Sequence, residues 1–255
     1  MADPVLHARL HRNVMAVSAL NGEAPDGIAD WRDGELLYSA SRSAPFLNGV
    51  FRDGPGRDAA ALLDRAEAFY ADRGAGFLVY VGPDDDALGD AALAAGLAVV
   101  LPHYPEMVCR APLPMLAGDV RPVADRDAAA AYWRICDAAY QSVGVPPGTF
   151  TATLAPEMLL RDGVEACVVW AGGRPAACAS IWMAEGIGMV GWVGALREAR
   201  GQGLAAAATV WATNRAFALG ADVAALQASA MGEPLYERLG YEHAYAYRIL
   251  GTMSS

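Results

Sequence analysis

A glycine-containing turn lies where an apolar run around Val193 gives way to an alanine-rich stretch that begins at Leu204. The first amides of a helix have no partner inside the helix and carry partial positive charge, so they bind anions well. Gly201 and Gly203 lack the side chains that would obstruct a pyrophosphate, and Arg200 can add positive charge. The turn therefore predicts an anion site built from main-chain donors.

Two other interpretations of this turn stay open. Gly201-x-Gly203-x-x-Ala206 also satisfies the pattern of dinucleotide-binding loops, and Asp222 follows at a suitable distance. In that pattern the acid closes the second strand of the first strand–helix–strand unit. Here Asp222 begins its predicted strand, and an antiparallel meander precedes the turn. The remaining interpretation is a helix start that binds no ligand.

The residue types that the sequence lacks exclude several kinds of catalysis. All 19 basic residues are arginine, which excludes a Walker A lysine, a pyridoxal phosphate Schiff base and a lysine nucleophile. The sequence has neither a G-x-S-x-G nor an H-E-x-x-H motif. The histidine pair His7 and His11 has no third ligand, so we expect no metal. The cysteines are scattered and give neither a zinc motif nor a disulfide framework: Cys109, Cys136, Cys167 and Cys178.

Length and composition indicate a folded protein of two domains. The chain has 255 residues, of which 55 % are hydrophobic, and a net charge of −10, so it can bury a sizeable core but shows no basic face for nucleic acid. No run of about 20 apolar residues predicts a membrane-spanning helix. The start, Met1 to Pro4, lacks the basic region of a signal peptide. We therefore expect a cytoplasmic protein without nucleic-acid or membrane partners, and self-association into a homodimer stays open.

Hydrophobic periodicity divides the chain into two similar halves, 1–115 and 116–255, around a proline-containing linker. The second half predicts a strand at 120–123, helices at 126–143 and 156–161, a three-stranded meander at 166–194, a helix at 204–219, a strand at 222–228, a short helix at 235–239 and a strand at 242–250. The first half predicts a helix at 4–20, strands at 35–40 and 46–51, a helix at 58–73, a strand at 77–81, a short helix at 90–95 and a strand pair at 98–109. Both halves end in the order long helix, strand, short helix, glycine, strand, which indicates an internal duplication.

Two motifs in the second half resemble those of one enzyme superfamily. Arg200-x-x-Gly203-x-Ala205 is similar to the acyl-CoA signature R/Q-x-x-G-x-G/A of the GNAT superfamily of N-acetyltransferases. Tyr236 precedes Leu239-Gly240-Tyr241 as a family tyrosine precedes Leu-Gly-Phe/Tyr. The resemblance implies an α/β (α+β) fold of two GNAT-like domains, each a mixed, largely antiparallel sheet flanked by helices.

The resemblance also implies an N-acetyltransferase whose co-substrate is acetyl-CoA and whose acceptor is a primary amine of a small molecule, which attacks directly. It implies Tyr236 as the general acid, because a phenol with a pKa of about 10 is protonated at neutral pH and can donate to the departing thiolate. The implied acyl-CoA contacts are Val193, Gly194, Ala195, Arg200, Gly201, Gln202, Gly203, Leu204, Ala205 and, as a weak contact, Ser229. A non-catalytic acyl-CoA sensor and an acetyltransferase for a protein or peptide amine stay open as alternatives.

The general base is not determined by the sequence, and Glu185 and Asp137 are the candidate carboxylates. Trp182 and Trp192 are predicted on neighbouring strands, where either could wall an acceptor pocket or pack in the core.

The first half departs from the family pattern at the matching turn. Asp53 and Asp58 flank that turn and would repel a pyrophosphate, and Pro55 removes a donor amide. In an approximate alignment Ala92 stands where Tyr236 stands. We therefore expect the first half to be a degenerate GNAT-like domain that does not turn over.

Overall fold

A computed structural model describes residues 3–252. Its helices are α1 Pro4–Ala19, α2 Ala59–Ala71, α3 Asp86–Ala94, α4 Arg126–Tyr140, α5 Thr149–Thr153, α6 Leu204–Ala218 and α7 Glu233–Leu239. Its strands are β1 Ile28–Arg32, β2 Glu35–Ser39, β3 Asn48–Arg52, β4 Leu78–Val81, β5 Ala98–Cys109, β6 Asp119–Pro122, β7 Val164–Ala171, β8 Arg174–Ala184, β9 Ile187–Ala195, β10 Val223–Gln227 and β11 Glu242–Gly251. Within the described range, no helix has the length and apolar character needed to span a membrane.

The chain divides into two compact units. The first unit holds the residues up to Glu106 and those from His243 onward, and the second holds Met107–Glu242. This division differs from the expected linear boundary at residue 115, because β11 pairs with β4 of the first unit in antiparallel register. The domain limits 1–115 and 116–255 remain a prediction.

In the first unit the strands follow the order β1-β2-β3-β4-β11-β5. Strands β1, β2 and β3 form an antiparallel meander, and β4 joins β3 in parallel after α2. Asp58 is the N-cap of helix α2, and its carboxylate accepts hydrogen bonds from the amides of Ala60 and Ala61. Leu62 and Tyr70 on its buried face pack into the core of this unit.

His11 ties α1 to the sheet of the first unit. Its Nε2 lies 2.9 Å from the carbonyl oxygen of Arg52 and its Nδ1 lies 2.7 Å from the Tyr247 hydroxyl, so a neutral ring with its proton on Nε2 satisfies both. Burial lowers the pKa of His11 below its ordinary value of 6.5, against the raising effects of the Arg52 hydrogen bond and of the Asp53 and Asp85 carboxylates.

This lowered pKa predicts a loss of stability in mild acid. The unfolded chain takes up the His11 proton at a higher pH than the folded chain, so the free energy of unfolding falls as the pH drops below about 6.5. We expect the free energy of unfolding of His11→Gln to fall less steeply between about pH 7 and pH 5 than that of the unmutated protein. Urea unfolding at a series of pH values measures this difference. Replacement of the exposed His103 by Gln is the matched control. The same dependence of the unfolding free energy on pH in His11→Gln and in the unmutated protein would contradict the expectation.

In the second unit the strands follow the order β5-β10-β9-β8-β7-β6. Strands β6 to β9 are antiparallel, and β10 joins β9 in parallel. Ala177, Ala179 and Ile181 of β8 pack with the alanine residues of α6. Ser180 lies between them on the other side of the strand, where it hydrogen-bonds Tyr132 of α4. Helices α6 and α4 therefore cover opposite faces of this sheet.

Four elements differ from the sequence prediction. Strand β1 was not predicted, because all five of its residues are exposed or half-buried and show no apolar alternation. The expected strand pair at 98–109 is one twelve-residue strand, β5. The helix expected at 156–161 is a short 3-10 turn, Pro156–Leu159, and the unpredicted helix α5 precedes it.

Candidate functional site

The turn before α6 has a backbone conformation that favours glycine. Gly201 and Gly203 have φ angles of +74° and +77°, in the left-handed region that side chains disfavour. A Cβ atom at either position would meet nothing within 4 Å. The two glycines therefore satisfy the turn's conformation and leave its outer surface open.

The amides of this turn are available to a ligand. Helix α6 has Gly203 as its N-cap, and no side chain caps it. Within residues 3–252, no group accepts a hydrogen bond from the main-chain amides of residues 201–205. Gly201, Gln202 and Gly203 are exposed, and Leu204 and Ala205 are half-buried. This array fits the charge and donor requirements of a diphosphate.

Arg200 and Gly194 both contact the C-terminal end of α4. The Arg200 guanidinium donates to the carbonyl oxygen of Ala139 at 3.1 Å and to the Ser142 hydroxyl at 2.9 Å. A Cβ atom on Gly194 would lie 3.1 Å from the Cβ of Ala139. Arg200 thus places its charge near the turn while it holds α4, and Gly194 allows the close packing of that helix.

Strands β9 and β10 separate beside the turn. Their last parallel pair is Met189 with Ala225, whereas β9 continues to Ala195. Among the described strands, none pairs with β9 beyond Met189 on the side of β10. The main chain around Val193 and Ala195 therefore forms a strand edge that can hydrogen-bond an extended ligand.

A β-bulge distorts the same part of β9. The register with β8 shifts between Gly191 and Gly194, so Trp192 and Val193 together face one residue of β8. Trp192 has a φ of +47°, a strained conformation that costs about 1–3 kcal/mol. Because bulges bend the strand that carries them, this one accounts for the separation of β9 from β10.

Tyr236 lies on α7 and is 8 % exposed. Burial raises the pKa of its phenol. In the described part of the chain the Tyr236 hydroxyl has no hydrogen-bond partner, so its proton remains available to a ligand. Ser229 is exposed, and its hydroxyl accepts a hydrogen bond from the Gly232 amide at 3.2 Å in the turn before α7.

Of the two carboxylates considered as general bases, Asp137 is occupied by hydrogen bonds and Glu185 lies far from Val193. Asp137 accepts hydrogen bonds from the amides of Phe150 and Thr151 at 2.7 and 3.2 Å and thereby caps α5. Glu185 lies in the turn before β9, and residues 187–193 of that strand alone span about 20 Å at the rise of an extended strand. Neither placement supports a role as the base.

The two tryptophans differ in burial, and Trp192 has aromatic neighbours that the sequence did not predict. Trp182 is 3 % exposed and donates its indole N–H to Ser180. Trp192 is half-buried, and its ring centroid lies 5.9 Å from that of Tyr140 and 5.1 Å from that of Phe150. An aromatic cluster, in which Trp192 and Tyr140 are half-buried and Phe150 is buried, therefore lies beside the bulge.

Comparisons with known proteins agree with this geometry. Residues 130–241 match the model of the Acetyltransferase (GNAT) family. A GCN5-related N-acetyltransferase from Kribbella flavida is similar in structure, with 22 % identity, a TM-score of 0.73 and 96 % coverage of both chains. Another from Sphaerobacter thermophilus has 16 % identity, a TM-score of 0.61 and coverage of 98 % of this chain and 94 % of that one.

A tandem GNAT protein from the clavulanic acid biosynthesis pathway also shares the fold, with 16 % identity and a TM-score of 0.61 over 95 % of this chain and 88 % of that one. No curated protein matches the chain. Together these likenesses confirm the GNAT resemblance and the expected α/β fold with a largely antiparallel sheet flanked by helices.

Proposed function

We propose that this chain, which carries a GNAT-family acetyltransferase domain at residues 130–241, transfers the acetyl group of acetyl-CoA to a primary amine of a small molecule. One observation carries the proposal: the amides of residues 201–205 have no acceptor in the described chain, and no side chain caps α6. Such an array suits the diphosphate of CoA, because each amide is a donor and the helix start adds partial positive charge.

The free edge of β9 and the buried tyrosine supply the other parts of the proposed site. The edge beyond Met189 would align the pantetheine arm and bring the thioester to the bulge at Trp192. The neutral amine attacks the thioester carbon, so that the C–N bond forms, the C–S bond breaks and the amine gives up a proton to solvent. Tyr236 donates its proton to the departing thiolate and regains a proton from solvent, and its raised pKa keeps the phenol protonated at neutral pH.

The first unit differs at each corresponding place, which supports the proposal that it is a degenerate copy. Asp58 occupies the first amides of α2 with its own carboxylate. Phe51 and Tyr80 follow the last paired residues of β3 and β4, and their rings stack with centroids 4.1 Å apart. The carbonyl oxygen of Ala92 accepts a hydrogen bond from the Leu97 amide after α3, as that of Tyr236 accepts one from the Tyr241 amide after α7. An alanine thus stands in the place of the proposed acid.

We therefore expect one molecule of acetyl-CoA to bind per chain. The Asp58 carboxylate already accepts from the first amides of α2, which are flanked by negative charge, so of these two helix starts the one of α6 offers free donors to a diphosphate. Isothermal titration calorimetry measures the stoichiometry directly. Binding of two equivalents, or of one equivalent that survives Gly203→Asp, would assign a site to the first unit and contradict the expectation.

The function itself is tested by titration with acetyl-CoA, followed by an assay of free thiol release with a panel of small amines, peptides and proteins. Binding and release with a small amine support the proposal. Binding without release on any acceptor favours the acyl-CoA sensor, and release with peptides alone favours a protein or peptide substrate. If acetyl-CoA does not bind, the proposal is wrong.

A further inference from the structure

A buried hydrogen-bond network lies beneath the bulge of β9. The Trp182 indole N–H donates to the Ser180 hydroxyl at 2.9 Å, and that hydroxyl donates to the carbonyl oxygen of Gly191 at 2.9 Å. The Tyr132 hydroxyl lies 3.1 Å from the carbonyl oxygen of Trp192 and 2.9 Å from the Ser180 hydroxyl. One arrangement gives each of the three protons its own acceptor: Trp182 to Ser180, Ser180 to Gly191 and Tyr132 to Trp192.

The network holds two successive carbonyl groups on the α4 side of the strand. In a regular strand the carbonyls of neighbouring residues point in opposite directions, but those of Gly191 and Trp192 both receive side-chain donors here. Tyr132 and Ser180 are completely buried, so water cannot replace these donors. The network therefore stabilises the left-handed conformation of Trp192.

This constraint also sets the direction of the next amide. The carbonyl of Trp192 and the N–H of Val193 belong to one planar trans peptide, so they point in opposite directions. Because Tyr132 holds the carbonyl toward α4, the Val193 amide must point away from α4. Val193 lies on the part of β9 that has left β10, where an extended ligand has access to it.

We propose that Tyr132 and Ser180 are positioning residues of the acyl-CoA site, which hold the bulge so that the Val193 amide is aimed at the acyl group. The inference rests on the proposed function. Neither side chain contacts the ligand, since both lie beneath the strand. The turn at residues 201–205 binds the diphosphate independently, so loss of the network affects the acyl end of acetyl-CoA and leaves the nucleotide end unchanged.

The test is Tyr132→Phe, with Tyr70→Phe as the matched control. Tyr70 is a fully buried tyrosine of the first unit whose hydroxyl donates to main-chain carbonyls at 2.8 and 2.9 Å, so both variants lose the same kind of bond. We expect Tyr132→Phe to lower kcat by about tenfold to a hundredfold, since misplacing a reacting group by about 1 Å is costly on that scale. The Kd for CoA itself should stay unchanged, and Tyr70→Phe should keep its kcat.

Thermal unfolding of both variants separates stability from positioning. Comparable Tm shifts with a loss of kcat only in Tyr132→Phe support the inference, whereas an unchanged kcat in Tyr132→Phe overturns it. Should Tyr132→Phe not fold, Ser180→Ala is the second variant, and it should lower kcat in the same direction. If the unmutated protein neither binds nor transfers, the proposed function fails, which is a different result from an active Tyr132→Phe variant.

Discussion

Gly203→Asp is expected to abolish acetyl-CoA binding at concentrations that saturate the unmutated protein. Aspartate tolerates the left-handed backbone of residue 203 better than most residues, so the turn can form. Its carboxylate would lie beside the free amides of residues 201–205 and repel a diphosphate there. Two like charges about 4 Å apart near a protein surface repel by about 4 kcal/mol. This corresponds to a loss of more than about a hundredfold in affinity, which calorimetric titration can measure.

Gly203→Asn is the matched control, because it adds a side chain of the same size without the charge. It tests how much of the loss comes from backbone strain and occlusion at φ +77°. We expect a clearly smaller loss of affinity for Asn than for Asp. Equal losses would mean that shape matters more than charge, and full affinity in Gly203→Asp would contradict an anion site at this turn.

Tyr236→Phe is expected to lower kcat by about 10²–10⁴-fold, the range found when a general acid is removed. The Kd for acetyl-CoA should remain within about twofold, because the phenol contributes to protonation of the thiolate and the diphosphate binds elsewhere. Release of free thiol at saturating acetyl-CoA measures the rate. A Tyr236→Phe variant with the unmutated rate would remove the tyrosine from the mechanism.

Tyr241→Phe controls for the loss of a buried hydroxyl in the same region. The Tyr241 hydroxyl lies 2.6 Å from that of Thr213, so its removal costs stability, about 0.5–1.5 kcal/mol, without touching the proposed chemistry. The pH profile gives a second check on Tyr236. Burial raises the pKa of Tyr236 above its ordinary value of 10.0, so the activity should not decline through loss of the phenolic proton below about pH 10.

The sequence predicts elements most accurately where the hydrophobic periodicity and the residues that end helices, such as glycine, agree. Helix α6 has a long run of good helix formers between glycines, and its observed limits, Leu204–Ala218, nearly coincide with the predicted 204–219. Gly220 and Gly240 end α6 and α7 with left-handed φ angles of +91° and +96°, as their positions after helical runs suggest. The free amides before α6 follow from the same local signals, because residues 201–205 offer no side chain that caps the helix.

Features made by distant residues could not be predicted in this way. Asp137 is an acid on a predicted helix, and only the unpredicted helix α5 shows that its carboxylate is a cap. The bulge at Trp192 leaves the apolar pattern of β9 intact, so it gives no local signal, and its partner Tyr132 is 60 residues away along the chain. The partner of β11 was also unpredictable, since pairing across most of the chain depends on tertiary contacts rather than on the strand's own residues.

The place of β11 has a consequence for biosynthesis. Strand β11 lies between β4 and β5 in the sheet of the first unit, so that sheet lacks an interior member until residues 242–251 have been translated. Domains usually fold in the order in which they leave the ribosome. Here the residues up to Glu106 cannot complete their sheet while Met107–Glu242 is synthesised, so the edges of β4 and β5 stay unpaired during that time. The sheet of the first unit can therefore be completed only after β11 has been translated.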